Sequence, residues 1–411
     1  MREMKDSGIA WVGEIPKEWE IGRIGGLYEL RNQKVSDKDF IPLSVTMKGI
    51  LPQLETAAKT NDGDNRKLVR KGDFAINSRS DRRGSCGISD YDGSVSLINT
   101  ILKPRNQMNA RYYNWLFHTP LFADEFYKWG HGIVDDLWTT NWGEMKKISI
   151  PAPSLNEQQR IAEFLDRACG KIDGLKADIQ AQIDTLEQYK RSIITEAVTH
   201  GLNPSAPMKE CSVSWARQIP QHWKVMPNKH LMTKIKNICP IYKGGDILSL
   251  TMYGVIVRDL DAGGKMPSSF DGYQYIKKGN LLMCLFDIDV TPRCIGIIKQ
   301  NGITSPAYSQ FKIKKIANAR FYYYYYLMLD YTKELLHLAK NLRHSLTEDQ
   351  LGTIKQLVPP LDEQQEIADY LDNKCAEIEQ IIADKKTQIE TLDGYKKSLI
   401  YEYVTGKKEV G

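Results

Sequence analysis

The sequence predicts a mixed α/β (α+β) fold with an internal duplication, in which two globular domains are separated by two long helices that form an antiparallel coiled coil. Three observations predict it. The stretch LNEQQRIAEFLD at residue 155 returns as LDEQQEIADYLD at residue 361. Shorter echoes upstream keep the same order at a nearly constant offset. Apolar residues after each E-Q-Q recur in alternating steps of three and four, the pattern of a coiled-coil helix.

The duplication covers the whole chain. IAWVGEIPKEW (9–19) is echoed by VSWARQIPQHW (213–223), and we call these two stretches the lead segments. Further pairs are LSVTMKGI with LSLTMYGV, VRKGDF with IKKGNL, and NARYY with NARFY. Repeats that keep their order indicate one structural unit present twice. We therefore predict a globular part and a long helix, each repeated, divided at 1–154, 155–203, 204–360 and 361–411.

Composition restricts the function only loosely. The 411 residues suffice for two or three cores, and a net charge of +5 permits a nucleic-acid partner without requiring one. Seven cysteines without a C-x-x-C pair fit reduced thiols in a cytoplasmic protein rather than a disulfide framework or a zinc site. The first residues lack an apolar signal-peptide core, and no apolar run approaches the ~18 residues of a membrane span. We expect no membrane partner.

The globular parts mix strand and helix patterns. KLVRKGDFAINS and YQYIKKGNLLMCLF alternate as strands do, whereas ARYYNWLFHTPLFADEFYKW and ARFYYYYYLMLDYTKELLHL indicate helices. The aromatic run FYYYYY (321–326) could stack on bases. Its counterpart RYYNWLF lies at the same point of the repeat, so we favour a packing helix.

Each long helix has one predicted seam. In the first helix the seam residues are Ile161, Leu165, Ala168, Ile172, Leu175, Ile179, Gln182, Leu186, Tyr189 and Ile193. In the second they are Ile367, Leu371, Lys374, Ile378, Ile381, Lys385, Gln388, Leu392, Tyr395 and Leu399. About 45 residues at ~1.5 Å each give a helix that needs a partner for its seam, and the other copy supplies one. A pseudo-two-fold axis would make the pair antiparallel, with the domains at opposite ends.

The helix starts and the two central glutamines carry further expectations. We expect N-caps at Asn156 and Asp362, each completed as a capping box by the glutamine three residues later. Gln182 and Gln388 either are buried and fix the register of the pair or lie at the solvent edge.

Basic residues cluster where the two copies disagree most. SRSDRRGS places three arginines in a Gly/Ser-rich loop. The residue after the shared T-M is Lys48 in the first copy and Tyr253 in the second. Arginine in a loop clamps phosphates or hydrogen-bonds guanine, although each residue alone is equally typical of a solvated loop. We predict DNA contacts from Lys48, Arg79, Arg82, Arg83, Tyr253, Arg293, Lys299, Arg343 and His344.

Catalytic signatures are absent from the sequence. It contains no [ND]-P-P-[YF] tetrapeptide of an adenine methyltransferase, no dinucleotide-binding or P-loop glycine pattern, and no H-E-x-x-H metal motif. We therefore predict a protein that is not itself an enzyme. Two alternatives are a self-sufficient methyltransferase or nuclease, and a coiled-coil scaffold that does not bind DNA sequence-specifically.

The W-x-G-x-I-P-x-x-W lead segment, the P-x-L-[ND]-E-Q-Q-x-I-A-x-[FY]-L-D helix start and the duplication resemble the specificity subunit of type I restriction–modification enzymes along essentially the whole chain. In the second lead segment, Arg217 departs from the pattern at the position of Gly13. The resemblance implies two target recognition domains, at 20–150 and 225–355. Each would read one half of a bipartite, asymmetric site on double-stranded DNA.

The same resemblance implies partners and cofactors. The two helices would set the spacing between half-sites and dock two methyltransferase subunits, which carry S-adenosylmethionine. Restriction subunits, which use ATP and magnesium, would join them, and this chain would hold no cofactor. Because capping explains only one glutamine of each E-Q-Q, we expect Gln158, Gln159, Gln364 and Gln365 as candidate contacts with the methyltransferase.

Overall fold

A computed structural model describes residues 2–53, 62–79, 82–105, 108–133, 138–261, 267–291, 293–339 and 344–411. The chain forms two compact units. Unit 1 comprises Met1–Ile179 and Lys386–Gly411, and unit 2 comprises Gln180–Lys385. Each unit thus combines a globular part with the start of the helix that follows it and the end of the other long helix.

Unit 1 is built from short antiparallel strands and small helices. In chain order these are β1 (Met4–Asp6), β2 (Glu14–Pro16), β3 (Glu20–Arg23), α1 (Ile24–Leu27), β4 (Tyr28–Leu30), β5 (Lys34–Val35), β6 (Leu43–Thr46), β7 (Gly49–Pro52), β8 (Arg66–Val69), β9 (Phe74–Asn77), β10 (Cys86–Ile88), β11 (Gly93–Val95), β12 (Asn99–Pro104), α2 (Ala110–Phe117), α3 (Pro120–Lys128), α4 (Trp142–Met145) and β13 (Ser149–Ala152). The first long helix, α5 (Leu155–His200), begins in this unit.

Unit 2 repeats the plan. Its elements are β14 (Met208–Val213), β15 (Ala216–Pro220), β16 (Lys224–Pro227), β17 (Met232–Ile235), β18 (Leu248–Thr251), β19 (Gly254–Val257), β20 (Gln274–Ile276), β21 (Leu281–Met283), β22 (Ile295–Ile297), β23 (Gly302–Thr304), β24 (Ser309–Ile313), α6 (Ala319–Tyr331), α7 (Glu348–Thr353) and β25 (Lys355–Val358). The second long helix is α8 (Leu361–Val404). Two short 3-10 helices, Asn228–His230 and Glu334–Leu338, complete the described part.

Sheet topology shows the duplication independently of sequence identity. The main sheet of unit 1 has the order β10-β9-β12-β4, and that of unit 2 has the equivalent order β22-β21-β24-β17. The hairpin β6–β7 matches β18–β19, and the ladder β13–β3 matches β25–β16. The predicted α+β class and the internal duplication are therefore confirmed.

The two stretches predicted as single strands each form two strands. KLVRKGDFAINS makes β8 and β9, which belong to different sheets, and the second copy makes β20 and β21. Gly72 and Gly279 both have φ of +89°, a left-handed conformation that favours glycine. These glycines turn the chain from one sheet to the other, and alternation alone does not reveal such a turn.

The aromatic run is a packing helix, as favoured above. In α6, Phe321, Tyr322, Tyr325 and Tyr326 are buried in the core of unit 2. Burial raises the pKa of the Tyr322 phenol well above its ordinary value. These rings therefore cannot serve as an exposed stacking platform.

Both units contain an antiparallel pair of helical segments. In unit 1, Lys396 lies 2.7 Å from Asp173 and Lys176 pairs with Asp393. In unit 2, Lys190 pairs with Glu379, and Lys385 Nζ donates to Gln182 Oε1 at 2.5 Å. Because partners on α8 descend as those on α5 ascend, the predicted antiparallel coiled coil is confirmed.

The predicted seam needs a correction at three of its ten positions on each helix. On α5, seven predicted seam residues are buried or half-buried: Ile161, Leu165, Ala168, Ile172, Ile179, Leu186 and Ile193. Leu175, Gln182 and Tyr189 are exposed. The residues that follow them face the partner helix instead: Lys176, Ile183 and Lys190.

The same one-residue shift occurs on α8. Ile367, Leu371, Ile378, Leu392 and Leu399 are buried or half-buried, whereas Ile381, Gln388 and Tyr395 are exposed. Gln182 and Gln388 are therefore solvent-edge residues. The rotation of each helix is fixed at its ends, where residues such as Cys169 and Ala197 are buried in the domain cores. Lysine stems can lie along the seam while their ammonium groups reach carboxylates.

The helix starts also differ from prediction. The helices begin at Leu155 and Leu361, so Asn156 and Asp362 lie inside the first turn. Ser154 Oγ accepts from the Glu157 N–H at 3.3 Å and occupies the N-cap position of α5. Gln159 and Gln365 therefore do not complete capping boxes.

Each residue of the E-Q-Q motif fastens the long helix to its globular part. In unit 1, Glu157 accepts from the indole N–H of Trp19 at 2.8 Å. Gln158 is buried, and its Oε1 accepts from the Asn109 N–H at 2.8 Å while its Nε2 donates to Pro153 O at 2.7 Å. Gln159 accepts from the Asn109 side chain.

Unit 2 repeats the two glutamine contacts, whereas its glutamate, Glu363, pairs with His222. Gln364 is fully buried and accepts from the Asn318 N–H at 2.8 Å, and Gln365 accepts from Asn318 Nδ2 at 2.7 Å. The prediction that Gln158 and Gln364 contact a partner is therefore wrong, because both side chains are buried with internal hydrogen bonds. For Gln159 and Gln365, which also have internal partners, a partner contact stays a prediction.

Gln158→Leu is expected to destabilise the protein strongly. It leaves the Asn109 N–H and the Pro153 carbonyl buried without partners, at a cost of roughly 2–5 kcal/mol in the free energy of unfolding. Gln159→Leu, at an exposed position, is the matched control and should change it by less than about 1 kcal/mol. Urea unfolding followed by tryptophan fluorescence measures both variants. Equal losses would contradict the assigned role.

Candidate nucleic-acid interface

Each unit presents a two-residue hairpin loop to solvent at an equivalent place in the repeat. Thr46 pairs with Gly49 across β6–β7, which leaves Met47 and Lys48 at the tip. Thr46 Oγ1 accepts from the Lys48 N–H at 3.1 Å and donates to Gly49 O at 2.9 Å. Gly49 has φ of +104°, which a residue with a side chain rarely adopts.

The hairpin of unit 2 has the same construction with different tip residues. Thr251 pairs with Gly254, and Thr251 Oγ1 accepts from the Tyr253 N–H at 3.2 Å. Met252 and Tyr253 form the tip, and Tyr253 is 76% exposed. The two units therefore share the frame of the hairpin and differ in the side chain presented, Lys48 in one and Tyr253 in the other.

Glycine on the neighbouring strand allows each hairpin to pack closely. A Cβ atom at Gly87 would lie 2.9 Å from Gly49 Cα, and one at the equivalent Gly296 would lie 2.7 Å from Val255 Cγ2. The inner faces of the hairpins join small apolar clusters that include Ile50 in unit 1. The tips are thereby held by packed strands, which suits residues that must meet a ligand in a fixed geometry.

Arg293 lies beside the hairpin tip in unit 2. Its Nη1 is 3.5 Å from the position that a Cβ on Gly254 would occupy. The residue after it, Cys294, donates its N–H at 2.8 Å to buried Asp330, which lies 3.0 Å from Lys333 Nζ. Half-buried Arg293 thus lies beside the hairpin tip that presents exposed Tyr253.

The three arginines of unit 1 have different environments. Arg83 lies over the Tyr127 ring at 3.7 Å from its centroid, and its Nη1 is 3.2 Å from Asp124. Arg79 is exposed, and its guanidinium has no ion-pair partner among the described residues. Arg82 is exposed and also makes an internal interaction. Of the three, Arg79 is the one best placed to meet a phosphate or a base.

Arg79→Ala and Arg83→Ala should therefore have different effects on DNA binding and on stability. We expect Arg79→Ala to weaken DNA binding by about 1–3 kcal/mol, the range of a good arginine contact to DNA, without lowering stability. Arg83→Ala should lower the unfolding temperature, because its cation–π and ion-pair contacts are lost. Fluorescence anisotropy with the assembled complex and thermal unfolding give the two readouts. Unchanged DNA affinity for Arg79→Ala across a salt titration would exclude it from the interface.

The remaining predicted contacts fall in several places. Lys299 is exposed at the end of β22. His344 Nδ1 lies 3.0 Å from Asp289 Oδ2, and this contact lowers the pKa of the Asp289 carboxyl. His344 is therefore engaged within unit 2, and Arg343 lies outside the described residues. The structure brings Tyr253 and Arg293 together but places Lys299 and His344 elsewhere in the unit.

All seven cysteines are free thiols in the described part of the chain, and six of them are buried. No cluster of three or more His, Cys, Asp or Glu side chains suited to a metal occurs there. Burial raises the pKa of the Cys86 thiol to about 12 and that of Cys169 to about 11. No described helix is long and apolar enough to span a bilayer.

Comparison with known proteins decides the family. A model of the type I restriction modification DNA specificity domain matches residues 16–185 and 294–391, which is more than half of the chain. The chain belongs to this family. The resemblance found in the lead segments and the E-Q-Q helices is thereby confirmed, and so is the prediction that the chain is a DNA-recognition subunit rather than an enzyme.

Full-length relatives agree with this family. The MjaVIII type I restriction enzyme specificity subunit of Methanocaldococcus jannaschii is 24% identical over 96% of this chain and 94% of its own length. The putative MjaX specificity subunit of the same organism is 22% identical over 97% and 96%. The similarity therefore extends over both units and both long helices.

Solved structures agree on the fold. A chain from a type I R-M system studied for complex assembly and conformational transition aligns with a TM-score of 0.71 at 13% identity, covering 96% of this chain and 99% of that one. The HsdS subunit from Thermoanaerobacter tengcongensis aligns with a TM-score of 0.50 at 14% identity, covering 96% and 98%. At these identities the likeness shows that members of the family share this α+β fold.

Proposed function

We propose that each unit of this specificity subunit reads one half of a bipartite, asymmetric DNA site, through its hairpin tip and the residues beside it. The observation that carries this proposal is the shared hairpin frame with unlike tips. Met47 and Lys48 project in unit 1, whereas Met252 and Tyr253 project beside Arg293 in unit 2. Two readers with unlike side chains favour a site with two unlike halves.

Half-specific substitutions test this assignment. Tyr253→Ala with Arg293→Ala should relax base preference in one half-site only, by about 1–3 kcal/mol per lost contact. Lys48→Ala with Arg79→Ala should affect the other half only. Competition binding of the assembled complex against single-base variants of the site measures both. A change spread over both half-sites by either variant would contradict the assignment of one unit to one half.

We further propose that the coiled coil docks two methyltransferase subunits, one on each unit. In unit 1, Leu175 and Tyr395 are 53% and 55% exposed. Each precedes a seam lysine, Lys176 or Lys396, and in an antiparallel pair these flanking positions lie on the same side of the two helices. Unit 2 repeats the pair with Tyr189 and Ile381. A large apolar pair that recurs in both units fits two copies of one partner.

The opposite side of the helical pair has a different character. It carries Asp173 and Asp393 in unit 1 and Glu379 in unit 2, each engaged by a lysine. The two sides of the helical pair therefore differ: one presents large apolar side chains, and the other presents carboxylates paired with lysines. In this proposal the docked methyltransferases bring S-adenosylmethionine, and restriction subunits with ATP and magnesium join the assembly. The chain itself supplies recognition and spacing.

A further inference from the structure

We propose that unit 2 carries a phosphate-binding face for the DNA backbone, formed by Lys277, Lys278, Lys299 and Lys312, that unit 1 lacks. In unit 1, two of the equivalent residues, Arg70 and Lys103, are paired with carboxylates, and a third is itself acidic, Asp90. This inference rests on the proposed function, since it concerns how one recognition unit holds its DNA. It predicts that the two units contribute unequally to salt-dependent binding.

The four lysines surround the turn between β20 and β21. Lys277, Lys278 and Lys312 line an open cleft of about 820 Å³ together with Asn237, Asn280 and Asn301. The Gly279 N–H donates to Ile298 O at 2.8 Å, which brings Lys299 beside this turn. All four lysine side chains are exposed, and none has an ion-pair partner within the described ranges.

Strand register identifies the equivalent positions in unit 1. Phe74 pairs with Leu102 as Leu281 pairs with Phe311, so Lys103 corresponds to Lys312. Likewise Val69 pairs with Gly93 as Ile276 pairs with Gly302. The residues before these glycines, Asp92 and Asn301, therefore correspond, and each accepts a hydrogen bond from the main chain of the turn.

Unit 1 neutralises its own basic residues at these positions. Arg70, the counterpart of Lys277, lies 2.7 Å from Asp92. Lys103 lies 2.9 Å from Glu29, at the end of the same sheet. Arg31 lies 2.6 Å from Asp73, a buried carboxylate.

Unit 2 replaces every one of these carboxylates. Asp92, Asp73 and Glu29 become Asn301, Asn280 and Thr233, and the exposed Asp90 becomes Lys299. Over the eight equivalent positions, unit 1 has four basic and four acidic residues: Arg31, Arg70, Lys71 and Lys103 against Glu29, Asp73, Asp90 and Asp92. Unit 2 has four lysines there and no carboxylate. Asp246 also lines the cleft and carries a charge opposite to that of the lysines. Its Oδ2 accepts from Gln300 Nε2 at 2.6 Å.

This chemistry fits phosphodiester groups. Lysine acts as a mobile point charge on phosphate oxygens, and the amides of Asn237 and Asn301 can add neutral donors along the same cleft. The cleft is open and has lysines along its lining, which suits a backbone that passes over it rather than an enclosed small molecule. It lies by Asp246, before β18, whereas Tyr253 lies at the opposite end of that hairpin. Unit 2 therefore offers separate places for phosphate and for base contacts.

The salt dependence of DNA binding tests the inference. Replacing the four lysines with glutamine in the assembled complex should lower the slope of log affinity against log salt by about 2–4 units, at roughly 0.9 per phosphate. Asn301→Asp with Lys299→Asp rebuilds the acidic pattern of unit 1 and keeps the acceptor for the Lys278 N–H. It should lower the slope in the same direction. The matched control, Arg70→Gln with Lys103→Gln in unit 1, should leave the slope nearly unchanged.

The outcomes separate this inference from the proposed function. A lower slope with site preference retained supports both. An unchanged slope in a complex that still discriminates its site overturns the phosphate face alone. Weakened assembly with the methyltransferase at unchanged DNA affinity also overturns it, in favour of an acidic protein surface. A wild-type complex without sequence preference overturns the proposed function itself.

Discussion

Deleting one heptad from each long helix is expected to shorten the unread gap of the DNA site by about three base pairs, because seven residues span ~10.5 Å of helix and B-DNA rises ~3.4 Å per base pair. The two deleted heptads should lie opposite one another in the antiparallel pair. Gln180–Leu186 and Ile382–Gln388 face one another, as the contact between Lys385 and Gln182 within them shows. Removing a whole heptad keeps the seam in phase, so both half-sites should keep their bases.

Methylation mapping of the complex assembled with the deletion variant measures the gap directly. The matched control deletes five residues from each helix, which at ~100° per residue turns the seam by about 140° away from its partner and should destabilise the pair. Half-site bases that change while the gap stays constant would contradict the role of the helices as a spacer.

Placing glutamate at the exposed apolar pair of one unit is expected to remove one methyltransferase from the complex. Leu175→Glu with Tyr395→Glu alters unit 1, and Tyr189→Glu with Ile381→Glu alters unit 2. Charge within a buried contact of this kind should weaken docking by about 2–4 kcal/mol, or roughly 30- to 1,000-fold in affinity. Native mass spectrometry should find one partner copy with either pair altered and none with all four.

Substitution on the opposite side of the helices provides the control. Glutamate at Gln180 and Lys386, which are exposed, adds negative charge without touching the apolar pair and should preserve two partner copies. Thermal unfolding of each variant alone checks that the coiled coil remains intact. Retention of two copies with all four apolar residues altered would exclude this surface as the docking site.

The sequence was informative wherever the two copies could be compared. The order of domains and helices follows from the E-Q-Q echo, and the burial of the FYYYYY run followed from its counterpart in the first copy. The seam was harder to predict, because apolar and amphipathic residues occupy neighbouring positions, as in Leu175 and Lys176. Only packing at the helix ends determines which of them faces the partner.

Other features depend on contacts that are distant in sequence. The role of Gln158 requires knowing that Asn109 lies against the helix start. The stacking of Arg83 on Tyr127 likewise joins separate segments, so a run of arginines alone does not show which of them pack against other parts of the unit. The NARYY and NARFY echo was a usable signal for the first of these, since both copies place the same asparagine before a helix.

In the proposed function, two unlike units in one chain read two unlike half-sites. Methylation mapping by long-read sequencing tests this directly in a host whose only DNA-methylating complex contains this chain and its methyltransferase. We expect a motif of two short, different base sequences separated by a fixed unread gap. A continuous motif, a palindromic one, or methylation without sequence preference would contradict it.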